Sequence, residues 1–218
     1  MGTALYRHRL DKIAIALMSA QKAKADCIEE YGIGEDMPMS MFCWKEDRIE
    51  LVLSLASPLP HQYWGLEFRT SLALRRFKKV SDGLCIVKKG WGVDAFTMVA
   101  EGWVSTNPEA TAGRELVEVY VEKDSPVSEC LALTHVENDE VTFLAIPYHQ
   151  KWGRKVEWGD ELYFPGETRV RGQDAMYPNL FFKVLSEVEY DEPPEDEETY
   201  YSALGDGLLQ LGFACQWM

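Results

Sequence analysis

Two histidines and two glutamates on neighbouring predicted strands come closest to a catalytic pattern. His135 and Glu137 end one strand, and Glu140 and His149 lie on the next. In a hairpin these groups could approach one another and bind a metal ion or exchange protons, since imidazole and carboxylate groups do both. A histidine beside a carboxylate at a strand edge is far more often a structural pair. We therefore assign no catalytic residue, no metal site and no cofactor.

Other reactive patterns are incomplete in this sequence. There is no G-x-S-x-G elbow, no glycine-rich phosphate loop and no H-E-x-x-H pair. Glu118, Glu122 and Lys123 share a predicted strand, but their spacing does not fit a metal-dependent nuclease. No histidine lies close in sequence to any cysteine as an activating base. An enzyme of unrecognised type remains a further alternative, with acids or histidines gathered on the sheet.

The most unusual segment is an acidic run near the end of the chain. Eight of the twelve residues from 187 to 198 are acidic, and Pro193 and Pro194 lie among them. The acids are Glu187, Glu189, Asp191, Glu192, Glu195, Asp196, Glu197 and Glu198. Charge and proline together predict an extended spacer. We interpret residues 187–198 as an acidic linker that follows a single domain, residues 1–186.

An apolar segment follows this linker immediately. Residues 199–218 begin as a helix with Tyr200, Leu204 and Leu208 on one side, although Gly205 and Gly207 weaken it. We interpret the segment as a docking tail. The residues expected to bind a partner, besides the eight acids, are Leu204, Leu208, Leu211, Phe213 and Trp217.

Net charge and cysteine usage limit the partners and the compartment. The formal charge is −14, which repels phosphate backbones and favours a basic protein partner over direct nucleic-acid binding. Trp152 and Trp158 flank Arg154 and Lys155, but two bases are too few to indicate a stacking surface. The five cysteines form no C-x-x-C pair, which is typical of free thiols in a reducing compartment. Without a signal-peptide layout or a membrane span, we expect a cytoplasmic protein.

The elements that position these residues indicate an α+β fold with a mostly antiparallel sheet. Apolar residues three and four apart predict a long helix at 3–31 and a second helix at 61–80, both on one face of the sheet. Alternation and turn residues predict the remaining elements as strands. Those strands cover 39–44, 48–55, 95–104, 115–122, 129–137, 140–149, part of 155–164, and 180–188.

One stretch carries a resemblance. Residues 98–104 (Met-Val-Ala-Glu-Gly-Trp-Val), followed after a proline-containing loop by residues 113–119 (Gly-Arg-Glu-Leu-Val-Glu-Val), resemble a strand–loop–strand pattern in uncharacterised phage and prokaryotic α+β proteins. The resemblance implies sheet topology and a phage or mobile-element origin. It implies no activity, because those proteins have none that can be transferred.

Together these observations favour a non-enzymatic cytosolic interaction protein, an inhibitor or adaptor. We expect it to bind a basic host or partner protein, such as a nucleic-acid-binding protein, through the acidic run and the tail. The alternative is a structural or assembly subunit that forms a homo-oligomer through the first helix and the tail.

Overall fold

The computed structural model describes residues 2–31, 37–55, 66–105, 107–113, 119, 124–151, 155–165 and 176–217. The helices are α1 (Gly2–Tyr31), α2 (Leu66–Trp91), α3 (Pro108–Thr111), α4 (Met176–Glu187) and α5 (Glu197–Gln210). The strands are β1 (Met39–Lys45), β2 (Arg48–Leu55), β3 (Ala95–Ser105), β4 (Val127–Glu137), β5 (Glu140–Lys151), β6 (Lys155–Trp158), β7 (Leu162–Pro165) and β8 (Phe213–Trp217). No helix among them has both the length and the hydropathy needed to span a membrane.

The strands form one antiparallel sheet. Its order is β6-β5-β4-β3-β1-β2-β8, and β7 pairs with β5 beside β6. The hairpin β4–β5 turns at Asn138 and Asp139, both with positive φ, as a two-residue turn of the primed kind requires. The β1–β2 hairpin turns at Glu46 and Asp47. The α+β class, the antiparallel sheet and the long N-terminal helix are therefore confirmed.

Helix α1 covers one face of the sheet. Ile13, Ala16, Leu17 and Ala20 repeat every three or four residues and are buried against that face. The strand residues beneath them are Phe42, Trp44, Val99, Leu131, Leu133, Leu144, Ile146 and Tyr148. This face forms a core of its own.

The opposite face is covered by α2, α4 and α5. Val80, Leu84 and Val87 of α2 pack on it together with Phe181 of α4 and Leu208 of α5. The expectation that the two long helices share one face is therefore corrected, since α1 and α2 lie on opposite faces. Both faces need covering because β1 is buried on both of its sides, as its run of buried residues shows.

The C-terminal segment belongs to the same sheet and core. Strand β8 pairs antiparallel with β2, with Leu53 opposite Cys215 and Leu55 opposite Phe213. Leu208 and Phe213 are buried to 0% and 2% exposure. The domain therefore extends to residue 217 rather than ending at residue 186.

Two glycines of α2 allow this close packing. A Cβ at Gly83 would lie 2.6 Å from Cε2 of Phe213, and one at Gly90 would collide with Leu204. In α5, a Cβ at Gly207 would lie 3.5 Å from Cδ1 of Ile86, which is an ordinary contact. The sequence predicted that the second helix ends near residue 80. In the structure α2 continues to Trp91.

One predicted strand is a helix instead. Residues 180–188 were expected to be extended, but α4 runs from Met176 to Glu187. Leu180, Phe181 and Val184 are its buried residues, and the ring of Phe181 lies 5.6 Å from that of Phe96. Their spacing fits one face of a helix. An apolar run this short is compatible with the helical period and with the strand period, so the sequence pattern does not distinguish a helix from a strand here.

Another predicted strand falls largely beyond the described part of the chain. Of residues 115–122 the structure describes Val119 alone, which is buried. The first half of the phage-like pattern, residues 98–104, lies within β3. The two sheet neighbours of β3 are β1 and β4.

The glycine contacts lead to a paired prediction on stability. Gly83→Ala gains helix propensity but forces the buried ring of Phe213 to move, so we expect a net loss of about 1 kcal/mol. Gly205→Ala meets Trp217 at 3.5 Å, an ordinary contact, and we expect a gain of up to about 1 kcal/mol. Urea denaturation measures both changes. Shifts of the same sign in the two variants would contradict this packing.

Candidate functional site

The two histidines on β4 and β5 do not meet. His135 lies opposite Thr142, whereas His149 lies opposite Glu157 of β6. From Thr142 to His149 the strand advances about 23 Å at about 3.3 Å per residue. The structure therefore places these histidines at separate positions and does not join them in one site.

His135 belongs to a buried polar network on the α1 side. The indole Nε1–H of Trp44 donates to Thr97 Oγ1 over 2.8 Å, and Oγ1 lies 2.7 Å from His135 Nδ1. A hydroxyl that accepts from Trp44 has a second lone pair and a proton of its own, so the direction of the bond to Nδ1 depends on the histidine tautomer. The second ring nitrogen of His135 is Nε2. That nitrogen lies 3.6 Å from Glu137 Oε2, and Glu137 also accepts from Lys12.

Burial and ion pairing shift the pKa values in this network. Burial lowers the pKa of His135, although Glu137 opposes this, so the imidazole is neutral near pH 7. Burial acts to raise the pKa of Glu137, but His135 and Lys12 outweigh it and lower the pKa to about 2. His135 is 0% exposed, so a substrate in solvent does not reach it.

A second buried network lies further along α1. Lys24 pairs with Glu101, and the Tyr148 hydroxyl donates to Glu101 Oε1 over 2.6 Å. Lys24 Nζ lies 5.3 Å from the centre of the Tyr148 ring. Within the described residues, no three His, Cys, Asp or Glu side chains are grouped as metal ligands. These charges hold α1 on the sheet.

The predicted acidic run joins α4 to α5 and is mostly exposed. Its freely exposed acids in the connection are Glu189, Asp191, Glu192 and Glu195. Glu187 ends α4, 3.9 Å from Lys183.

The last three acids of the run begin α5. The Asp196 side chain accepts from the Thr199 backbone N–H over 3.1 Å and caps the helix, and this bond lowers the pKa of Asp196. Glu197 and Glu198 lie in the first turn, where they offset the helix dipole. These three acids therefore already stabilise the fold.

The apolar residues assigned to a partner are mostly internal. Leu208 and Phe213 are buried, and Leu204 and Leu211 pack against the same core. These four residues were predicted to contact a partner, and the structure instead packs them in or against the core of the domain. Trp217 differs, because 49% of its surface is exposed.

Trp217 forms an aromatic cluster with two residues from other elements. The centre of the Trp91 ring, at the end of α2, lies 5.2 Å from that of Trp217 and 5.4 Å from that of Tyr201. A shallow pocket of about 520 Å³ opens beside this cluster, between α5 and β8. Its lining residues are Trp91, Tyr201, Ser202, Gly205, Asp206, Leu209, Cys215 and Trp217. We call this the aromatic pocket.

Acidic side chains lie beside the aromatic pocket. Asp206 lines it directly. Burial raises the pKa of Tyr201, and the neighbouring acidic groups Tyr190, Glu197 and Glu50 raise it further. An aromatic surface with negative charge beside it attracts a cation, since the faces of tryptophan and tyrosine rings are themselves negative.

The acidic linker is attached close to this pocket. The Asp191 backbone N–H donates to the Lys89 carbonyl over 2.9 Å, near the end of α2. Tyr190 lies against Gly92, whose φ of +65° and missing Cβ leave room for its ring. Lys45 Nζ lies 5.1 Å from the centre of the same ring. The linker therefore runs beside the helix end that carries Trp91.

Most of this pocket was not predicted from the sequence. Trp91, Tyr201, Asp206 and Leu209 are separated along the chain and were not assigned to a site. The available signal was the spacing of Tyr201, Gly205 and Leu209, which places them four residues apart on one helix face. Pairing of β8 with the sheet brings Trp217 to that face, and no local pattern predicted this pairing.

No family model, curated protein or solved structure matches this chain. The geometry of the described residues is therefore the basis for any functional assignment.

The Lys12–Glu137 pair gives a prediction on stability. Glu137→Gln leaves Lys12 buried without its counter-charge, so we expect a loss of about 3–5 kcal/mol at pH 7. Because the folded pKa of Glu137, about 2, lies below its ordinary value of 4.5, the difference from wild type shrinks as the pH falls through that range. Urea denaturation at several pH values measures it.

Asp26→Asn is the matched control for this prediction. Asp26 pairs with Lys22 on α1, and the two side chains are exposed by 59% and 76%, so we expect a loss below about 1 kcal/mol. Equal losses in the two variants would show that the buried network does not hold α1.

Proposed function

We propose that this protein is a non-enzymatic cytosolic interaction protein that binds a basic partner protein. The aromatic pocket and the exposed acids of the neighbouring linker form the binding surface. The observation that carries the proposal is the exposed Trp217, whose ring contacts that of Trp91, with Tyr201 against the same Trp91 ring and Asp206 in the same pocket. Tryptophan and tyrosine contribute most where a partner covers them.

The charge distribution supports a basic partner. Glu189, Asp191, Glu192 and Glu195 project from the linker with exposed side chains. Such charges increase the rate of encounter with a basic surface and discriminate against acidic ones. A nucleic-acid-binding protein has a surface of this kind, whereas nucleic acid itself is repelled by the charge of −14. The protein would then act as an inhibitor or adaptor, and the phage-like pattern adds a phage origin to the proposal.

Neutralising the linker tests this function without unfolding the protein. Deleting residues 187–218 would remove β8 from the sheet, so substitutions are needed instead. The linker variant carries Glu189→Gln, Asp191→Asn, Glu192→Gln and Glu195→Gln, and it keeps the cap Asp196. We expect this variant to bind a labelled lysine-rich peptide about tenfold more weakly, because each removed charge contributes about 0.3 kcal/mol or more to binding. Fluorescence anisotropy measures the affinity.

A control variant changes the net charge by the same amount elsewhere. It carries Asp11→Asn, Glu30→Gln, Asp160→Asn and Glu161→Gln, all exposed, on α1 and the β6–β7 connection. We expect its binding to stay close to that of the wild type. Raising NaCl from about 50 mM to about 300 mM should weaken the wild type more than the linker variant. If the two variants lose affinity equally, net charge alone attracts the peptide and the proposed surface is wrong.

A second candidate function is supported by the outer side of α1. Leu10, Ile15 and Met18 are exposed there by 38%, 44% and 69%. An apolar stripe on a helix surface is typical of an assembly contact. Light scattering separates the two functions, because a closed homo-oligomer that binds no lysine-rich peptide favours an assembly subunit.

A further inference from the structure

The aromatic pocket lies beside β8, an edge strand of the sheet that the described residues form. Strand β8 is the last in the sheet order and pairs with β2 on one side. Among the described strands none pairs with its other side. An edge strand presents unpaired backbone N–H and C=O groups, which an extended peptide can pair with.

The side chains of β8 alternate between two environments. Phe213 is buried beneath the helices, and Cys215 and Trp217 line the aromatic pocket, so all three point to the α2–α5 side. Ala214 and Gln216 are exposed and point to the other side. An added strand would lie about 4.8 Å from β8, and every second side chain of it would point to the pocket side.

The charges on the pocket side select the type of side chain. Asp206 lines the pocket, and Glu50 and Glu197 lie near Tyr201. Lys79 lies beside Gly212, the residue that precedes β8. Its Nζ is 3.5 Å from the position that a Cβ on Gly212 would occupy. The aromatic end of β8 is therefore the negative end, and a cation there meets both aromatic faces and a carboxylate.

We infer that a basic segment of the partner binds as an extended strand along the open edge of β8 and places a lysine or arginine side chain in the aromatic pocket. This inference rests on the proposed function and adds the binding mode. Backbone hydrogen bonds to β8 would supply affinity, and the pocket would select the side chain. The exposed linker acids would attract the segment without setting its register.

N-methylated peptides test the strand pairing. The probe is a labelled heptapeptide in which lysine alternates with threonine, and binding to the full-length protein is measured by fluorescence anisotropy. Two versions carry N-methyl groups, one on every lysine amide and the other on every threonine amide, with side chains and charge unchanged. In an extended strand one set of amides points to β8 and the other points away.

We expect one methylated version to lose binding at least about tenfold and the other to bind within about threefold of the parent peptide. In the complex with the parent peptide, alternate backbone amides of residues 213–217 should exchange hydrogen at least about tenfold more slowly. If the parent binds and these amides exchange as in the free protein, the strand pairing is refuted and the proposed function stands. If the parent does not bind at low salt, both are refuted.

A protein variant tests the pocket. Trp217→Leu keeps an apolar side chain but removes the aromatic face, so we expect about fivefold weaker binding of the parent peptide. Trp158→Leu, on β6 at the opposite edge of the sheet from β8, makes the same substitution as a control and should bind like the wild type. Unchanged affinity of the Trp217→Leu protein would show that the lysine side chain does not enter the pocket.

Discussion

The close approach of the C-terminal segment to α2 is the constraint on which the candidate surface depends. Gly83 and Gly90 leave space for Phe213 and Leu204, so that α5 and β8 can pack directly on the helix. This packing brings both Trp217 and Tyr201 into contact with the ring of Trp91. Without it, the last strand would not join β2, and the aromatic pocket would not exist.

The opposite face is held in a different way. There α1 combines an apolar stripe with two buried pairs, Lys12–Glu137 and Lys24–Glu101, that fix its position along the sheet. Removing one charge from such a pair lowers the stability of the fold far more than the net contribution of the pair suggests, because the remaining charge stays buried without its partner. His135 and Glu137, which most resemble catalytic residues in the sequence, therefore belong to a network that stabilises the fold.

Local signals in the sequence predicted much of the architecture. The β1–β2 and β4–β5 hairpins follow from alternation and turn residues, and α1 follows from its apolar spacing. The end of α2 and the role of the tail could not be predicted in this way. Gly83 weakens a helix in isolation, and it is favourable here only because Phe213 occupies the space beside it.

The candidate site was predicted only in part, for a related reason. The acidic run is visible in the sequence, and so is Trp217. Trp91, Tyr201 and Asp206 become one surface only after β8 pairs with β2, which is a contact between residues far apart in the chain. The four internal residues of the tail have the same apolar composition as an exposed anchor, and burial alone distinguishes the two.

The indole N–H resonances of the protein test most directly whether the aromatic pocket binds cations. A ¹H–¹⁵N spectrum would be recorded during titration with the small cation Nα-acetyl-lysine amide, and with its neutral norleucine analogue as control. The lysine compound should shift the signals of Trp91 and Trp217 and leave the buried Trp44 unchanged, while the analogue has little effect. Equal shifts with both compounds, or none at Trp217, would contradict the account.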